Sequence, residues 1–488
     1  MTTGFDFSTY RPPGLYTEAV PGPQLAAQSA TPTAVGIFGV AVGYQRAVES
    51  LVVDPDIQDS ETQEFASAIN RTLKNPGIIP ESVIVRNPNS GEAYTRDADY
   101  TLYKVSGGTS AESTRDDLYT IRRVIDGEID QGDTIEVSYR YTDPSYFDAR
   151  MFYDFDDVRD AYGTPFDSLG NIQSELTLAA SFAFQNNAQR VILVAVDAAD
   201  PGTPTLAEYQ AALDKLSDQS DVSIVVPATG IQQVQQSVVA HVNRQSTGNF
   251  ERRAIIGRDG SATPVASNAL ISDANAIKSS RIALVSPAAI KYYAPELNRE
   301  IILGGQYLAA ALAGVAVSQN AAQPLTRKQV VGFAGLQTKP QVSQLNLESQ
   351  NGLTVIEQTR AGTLRVRHGV TTDPTNILTR EWNIIGQQDA MVYRIRAYLD
   401  NDQLIGGVID DITLPNVKAS AAGALDSLQM DGVIRGYRDL KIRQLETLPD
   451  VLEIRFAWQP SMALNYIVVR YSISLATGEE ANVTPVTA

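Results

Sequence analysis

Arg190-Val191-Ile192-Leu193-Val194-Ala195-Val196 is apolar at every position after its opening arginine. A strand with one wet face alternates polar and apolar residues. This one does not, so it predicts a strand covered on both sides. Upstream, Leu176, Ala179, Ala180, Ala183 and Phe184 recur at helical spacing. Downstream, Thr205-Leu206-Ala207-Glu208 has the hydroxyl and carboxylate of a capping box, which opens another helix. The rhythm then repeats. Val222-Ser223-Ile224-Val225-Val226 predicts a second strand, and Ile231, Val234, Val238 and Val242 stripe the helix after it. Ala254-Ile255-Ile256 and Ile282-Ala283-Leu284-Val285 continue the series. Buried strands separated by helices predict an α/β domain built on a parallel sheet.

Outward from that core, Ala34 to Val42 reads as a Gly-punctuated apolar strand, and Val83-Ile84-Val85 as another short buried one. Between Asn87-Pro88-Asn89-Ser90-Gly91 and Thr142-Asp143-Pro144 the pattern is all-β. Ile135, Val137, Tyr139 and Tyr141 share one strand face there. After the small-residue stretch Tyr307 to Val317, read as a buried helix, the last third is α+β. Leu364, Val366, His368 and Val370 share a strand face, and Met391, Ile395 and Leu399 begin a helical stripe. Leu440–Arg443, Val451–Phe456 and Ile467–Leu475 read as an antiparallel meander. The expected fold is therefore α/β plus α+β and multidomain. Residues 1–30 are an extended arm, 31–87 the first part of the core, and 88–146 an all-β insertion. Residues 147–335 are the α/β domain, and 336–488 a C-terminal α+β assembly domain completed by terminal strands.

The two ends point to assembly. The first thirty residues, with Pro12-Pro13-Gly14 and Pro21-Gly22-Pro23, are too rich in proline for a helix and too poor in clustered apolar residues to fold alone. Pro13, Gly14, Leu15, Tyr16 and Val20 are its candidate docking residues. At the other end Tyr466, Ile467, Val469, Tyr471, Ile473 and Leu475 lie in a β-branched and aromatic segment that reads as a late strand. An arm and a late strand suggest exchange between subunits.

Composition narrows the function. The chain has 488 residues, 43% hydrophobic and 19% charged, with a net charge of −17. It can bury a sizeable core. Its acidity disfavours direct binding to nucleic acid. With no cysteine there is no disulfide, thiol nucleophile or thiolate metal site. No basic-then-apolar leader opens the chain, and no apolar run reaches the ~20 residues of a membrane span.

Catalytic chemistry in such a fold would lie at the carboxyl ends of the parallel strands, where such sheets bind ligands. These ends offer Asp197, Asp200, Pro227, Thr229, Gly257 with Asp259, and Ser286, and read as polar loop residues. No dinucleotide, phosphate-binding or nucleophile-elbow motif follows a strand. Of the two histidines, His241 reads as flanking an amphipathic helix and His368 as a core or interface residue. Asp154, Asp156, Asp157 and Asp160 resemble a calcium loop in composition, but Arg159 stands where the turn glycine is needed. Asp54 to Glu64 reads as a solvated face. No catalytic residue, cofactor or metal is expected.

With these residues laid out, the chain resembles the contractile tail sheath proteins of bacteriophages and related injection machines. Pro13-Gly14-Leu15-Tyr16-Thr17-Glu18 is similar to the family's P-G-V-Y-x-E opening, with leucine for valine. Asp156 to Pro165, followed by Gly170 to Ala180, resembles the D-V-x-x-x-Y-G-x-P and S-x-L-x-L-A-A run. Ala309–Ala316 resembles the helix before the C-terminal domain, although Val317-Ser318-Gln319-Asn320 replaces the usual R-T-D. Arg365 to Thr372 is similar to the V-x-x-G-I-T-T strand. The resemblance implies homohexameric rings stacked helically round an inner tail tube protein, with baseplate and tail terminator proteins as further partners. It implies strand exchange by terminal arms, an insertion on the outer surface, and a place in the virion tail after assembly in the host cytoplasm. Two other readings remain. One is a non-contractile virion or surface-binding protein whose insertion binds a receptor or glycan. The other is a Rossmann-like hydrolase.

Overall fold

The computed structural model describes residues 32–42, 44–53, 73–104, 118–124, 126–130, 132–141, 144–198, 200, 202–400, 404–470, 473–474 and 480–481. Strand β1 (Ala34–Gly39) is buried along its whole length. It occupies the middle of the main sheet. Gly39 is required there, because a Cβ would lie 2.5 Å from the Cβ of Ala228, just past the end of the adjoining strand.

The chain then leaves that sheet to build a small β body. Its strands are β2 (Gln45–Val52), β3 (Ile84–Arg86), β4 (Tyr100–Lys104), β5 (Tyr119–Arg123) and β6 (Thr134–Tyr141). β6 lies between β2 and β3, antiparallel to both, and β4 pairs with β5. Ile135, Val137 and Tyr139 point into a separate core with Val85, Tyr100 and Ile121. Both edges of β6 need ladder partners, and strands from before residue 88 supply them. The turn residues Asn87–Gly91 therefore form a turn inside this body. Gly91 N–H reaches Asn87 O at 2.8 Å, and Asn89 N–H reaches Asn87 Oδ1 at 2.9 Å.

β7 (Arg150–Phe152) returns to the main sheet, followed by α1 (Phe155–Tyr162) and α2 (Glu175–Gln185). The series β8 (Val191–Ala195), α3 (Leu206–Lys215), β9 (Val222–Pro227), α4 (Gln232–Thr247), β10 (Arg253–Ile256), α5 (Ser267–Ile277) and β11 (Ile282–Ser286) follows. The Thr205–Glu208 capping box is fully formed. β12 (Ala289–Ala294) and β13 (Arg299–Gly304) make a hairpin that leads into α6 (Gly305–Val317), buried from Gly305 to Val315. α6 and α2 cross so closely that a Cβ on Gly314 would sit 2.3 Å from Ala183 O. That is why small residues fill α6. β14 (Gly335–Leu336), α7 (Val342–Gln350), β15 (Leu353–Gln358) and β16 (Leu364–Val366) complete this part.

The main sheet runs β16-β15-β11-β10-β9-β1-β8-β7. Its inner pairs are parallel and its two outermost strands antiparallel. α2 and α6 cover one face and α3, α4 and α5 the other, each over its own apolar core. The sheet thus takes strands from residues 34–39 and 353–366 as well as from the run between them. Its continuous apolar strands are those of the sequence pattern.

The C-terminal body is α8 (Ile377–Arg380), α9 (Trp382–Leu399), α10 (Thr413–Met430) and the long hairpin β17 (Ile434–Leu445) with β18 (Leu448–Pro460). Met391, Ile395 and Leu399 face Leu425, Leu428 and Trp458 in its core. β19 (Ile473–Ser474) and β20 (Glu480–Ala481) pair with each other.

Two sequence expectations need correction. Ile467 to Arg470 do not extend the meander from β18, since residues 461–470 contain no strand. Side chains of α9 peel this segment away. Gln387 Oε1 accepts the Ser461 N–H at 2.7 Å, and Gln387 Nε2 and Asn383 Nδ2 donate to Ser461 O. The strand carrying Leu364 and Val366 stops before His368, where Gly369 turns against Leu325 and the imidazole swings to Glu381.

Candidate assembly surfaces

The arm residues Pro13, Gly14, Leu15, Tyr16 and Val20 lie outside the described residues, as do Tyr471 and Leu475. Ile473 belongs to β19. Tyr466, Ile467, Val468 and Val469 are described, and each is 76–79% exposed. Four consecutive apolar side chains in water form an unfavourable surface unless something covers them. Earlier in the same C-terminal body, β17–β18 is a two-stranded ribbon with no third strand among the described residues. An unpaired edge is a template for another chain.

The segment is anchored where it begins. Asn465 Nδ2 donates to Glu381 Oε2 at 3.3 Å. His368 Nε2 lies 3.1 Å from Glu381 Oε1, and Arg380 Nη2 2.9 Å from the same oxygen. Burial opposes ionisation of Glu381, but hydrogen bonds from His368, Arg380 and Asn465 hold its carboxyl below the usual range. His368 is thus a structural partner of a buried carboxylate. His241, expected to flank its helix, is instead buried on α4. Arg252 Nη1 lies 3.2 Å from its Nε2. Arginine only donates, so that nitrogen accepts and the ring is neutral. Burial, reinforced by the Arg252 and Arg244 charges, pushes the imidazole down to about 3.

A charged seam joins α9 to the amino-terminal ends of the parallel strands. Asp389 Oδ1 lies 2.8 Å from Arg281 Nη1, and its Oδ2 lies 3.4 Å from Arg253 Nε. One turn on, Tyr393 Oη donates to Glu251 O at 2.8 Å, and two turns on Arg396 Nη2 is 3.4 Å from Glu251 Oε1. Burial raises the Glu251 carboxyl, with Arg396 opposing. Sequence reasoning passed over this seam. Its charges sit on separate elements, and no spacing along the chain announces that they meet.

The strand carboxyl ends hold polar loop contacts. Asp200 accepts from Gly202 N–H at 2.9 Å, and Ser286 Oγ donates to buried Glu348 at 2.7 Å. Asp259 accepts from Ser261 N–H at 2.8 Å, and Thr229 Oγ1 lies 3.4 Å from Ile231 N. Asp154 caps α1, and Asp156 pairs with Arg159 at 2.9 Å. No group of three potential metal ligands occurs among the described residues, and no helix among them is long and apolar enough to cross a membrane.

Glu175, at the start of α2, was not singled out from the sequence. Its Oε2 is buried without a partner among the described residues. Burial pushes its carboxyl from 4.5 up to about 7; a hydrogen bond from the Val40 backbone opposes this and the Asp259 charge adds to it. The folded state therefore holds this proton to higher pH than the unfolded chain does. The group's stabilising effect is full below about pH 4.5 and is lost as pH rises to about 7, by on the order of 1–3 kcal/mol. Glu175→Gln should melt higher than the parent at pH 8 and show a smaller loss between pH 5 and pH 8. Parallel pH profiles of the two proteins would disprove the burial argument.

Comparison with known proteins agrees with this geometry. A family model for the phage tail sheath protein central domain matches residues 202–372. That span holds most of the parallel strands, from β9 to β16. The tail sheath protein of Mycobacterium phage Bxz1 is 44% identical, over 97% of this chain and 98% of that one. The helical sheath of the anti-feeding prophage in its contracted state superposes with a TM-score of 0.53 at 14% identity, over 67% of this chain and 89% of that chain. The PVC sheath complex of an extracellular contractile injection system, also contracted, gives 0.52 at 13% identity, over 96% and 99%. At such identities these two structures speak to fold alone.

Proposed function

We propose, from the premise that this chain belongs to the phage tail sheath protein family and is a contractile tail sheath subunit, that its copies stack as hexameric rings round an inner tube and contract to drive that tube through a cell envelope. The observations that carry this reading are the open β17–β18 ribbon and, further along the chain, the exposed apolar run Tyr466–Val469. Each is unfavourable in a lone subunit and is relieved when chains exchange strands. Residues Leu15, Tyr16 and Val20 anchor the incoming arm, with Pro13 and Gly14 setting its course. Tyr471, Ile473 and Leu475 continue the outgoing strand. Energy is stored in the extended lattice and released when rigid subunits repack, without nucleotide. The inner tube, the baseplate and the tail terminator are the partners. Assembly takes place in the host cytoplasm and ends in the virion tail.

The test is electron microscopy of the purified protein, alone and with tube protein. Rings or tubes with six-fold symmetry are expected. A species that stays monomeric at high concentration, unchanged by tube protein, would sink the reading.

The β body lies on the outer surface in this proposal and is dispensable for assembly. Gln45 and Tyr141 are ladder partners, so the chain enters and leaves at one point. Replacing residues 45–141 by a short Gly/Ser linker should leave tubes intact. Removing only 90–142 takes β6 from between β2 and β3 and should give an insoluble chain. Equal behaviour of the two deletions in sedimentation and microscopy would contradict the strand pairing.

A further inference from the structure

A cleft of about 410 Å³ lies at the β16 edge of the main sheet, with Arg327, Arg367, Arg380 and His368 on its walls. Arg367 is neutralised by Glu357 at 2.6 Å, and Arg380 by Glu381. Arg327 is exposed and its side chain has no partner among the described residues. The cleft thus keeps a net positive charge in a chain that carries −17. At the opposite edge of the same sheet, α1 lies beside β7. Its outer face holds Asp157 and Asp160, three residues apart and both exposed. Asp154 and Asp156 are already engaged, as the N-cap and with Arg159, whereas Asp157 and Asp160 have no side-chain partner among the described residues. Tyr153, 66% exposed, adjoins them.

We infer that the arginine cleft receives the acidic face of α1 from a second copy of this chain, with Arg327 meeting Asp157 and Asp160. This contact rests on the assembly reading above and does not use the arm, but Asn465 and Tyr466, where the terminal segment begins, form part of the cleft wall. The two surfaces are different, so the contact is head-to-tail and propagates into a ring or helix rather than closing as a dimer. Eight strands separate the surfaces by seven steps, roughly 34 Å at about 4.8 Å each, so one subunit cannot satisfy its own cleft. Charge complementarity is what selects the occupant. In a chain of net charge −17 most other surface disfavours an acidic face, whereas this cleft attracts it, and the exposed Tyr153 supplies an apolar anchor at the rim.

The absence of cysteine allows a direct test. Asp160→Cys and Arg327→Cys are introduced together and the full chain is assembled under mild oxidation. A ladder of cross-linked species rising well beyond the dimer is expected on non-reducing gels, because a disulfide needs Cα atoms about 5.5–6 Å apart and cannot form within one subunit. Each single variant should give no ladder. Charge reversal is the second arm. Arg327→Glu alone, or Asp157→Lys with Asp160→Lys, should raise the concentration needed for tubes roughly three- to tenfold, and all three together should restore it. Thermal melting of the variants should match the parent, since all three residues are exposed. Normal tubes without a ladder would overturn this contact and leave the sheath assembly standing. Neither tubes nor a ladder would overturn both. Sensitivity to Arg327→Glu with indifference to the aspartate changes would mean that the cleft takes another occupant, and would also overturn the contact.

Discussion

A subunit lacking residues 1–20 is expected to remain soluble, to melt cooperatively and to form no tubes. The argument is one of magnitudes. An arm of about 25 residues spans at most roughly 80–90 Å when extended, far enough to reach a neighbour. Ordering it costs on the order of 1–2 kcal/mol per residue. Each backbone hydrogen bond returns only about 1 kcal/mol net. Hydrogen bonds to an open edge such as that of β17–β18 therefore cannot hold the arm by themselves. Burial of Leu15, Tyr16 and Val20 must supply the rest, at about 1.5–3 kcal/mol for each large apolar side chain. Among the described residues every strand of the main sheet comes from Ala34 onward, so the α/β body should keep its stability. Microscopy paired with thermal melting decides the matter. Ordinary tubes from the deletion variant would refute arm exchange even if the sheath reading survived.

Asp389→Ala should be the most damaging single substitution at the seam between the two main bodies. It leaves Arg253 and Arg281 without their shared carboxylate, in a region where the Arg253 and Asp389 side chains are only 12% and 9% exposed. Burial already pulls the Arg253 guanidinium down to about 10, with Asp389 opposing, so the site is costly for an unpaired charge. Removing one partner of a buried pair costs about 3–5 kcal/mol. α9 also carries Gln387 and Asn383, which hold Ser461 and so direct the terminal segment. Loosening α9 should therefore impair assembly as well as stability. The expected result is an early unfolding transition in calorimetry, with tubes lost at temperatures where the parent still forms them. Asp389→Asn keeps one acceptor oxygen but loses the charge and turns the other oxygen into a donor facing an arginine, so its loss should lie between that of the parent and that of Asp389→Ala. A melt for Asp389→Ala within about 0.5 kcal/mol of the parent, the range of an ordinary surface change, would show that the seam does not hold the bodies together.

Where side-chain pattern is periodic and local, the sequence determined the structure. The apolar run Val191–Val196, the Thr205–Glu208 capping box and the small residues of α6 each carry their own instruction, because burial on both faces, a capped helix end and a close helix crossing each demand particular residue types. The same holds for Ile135, Val137 and Tyr139, which turn one face of β6 inward. Composition alone excluded thiol chemistry, and the order of short motifs along the chain pointed to the sheath family.

Only the tertiary structure decided which strands are neighbours. β1 lies between β8 and β9 although well over a hundred residues separate it from either, and β6 takes partners from before residue 88. Ladder hydrogen bonds are blind to sequence distance, so turn residues mark where the chain bends and not where a body ends. The same reason hid Asp389, Glu251 and Glu175. Their importance comes from what faces them after folding, and a carboxylate on a helix reads identically whether water or an arginine lies beyond it. The late strand shows the limit most plainly. Ile467 to Val469 have the residues of a strand, but a strand needs an edge, and within one subunit Gln387 and Asn383 turn the chain away from the edge of β18.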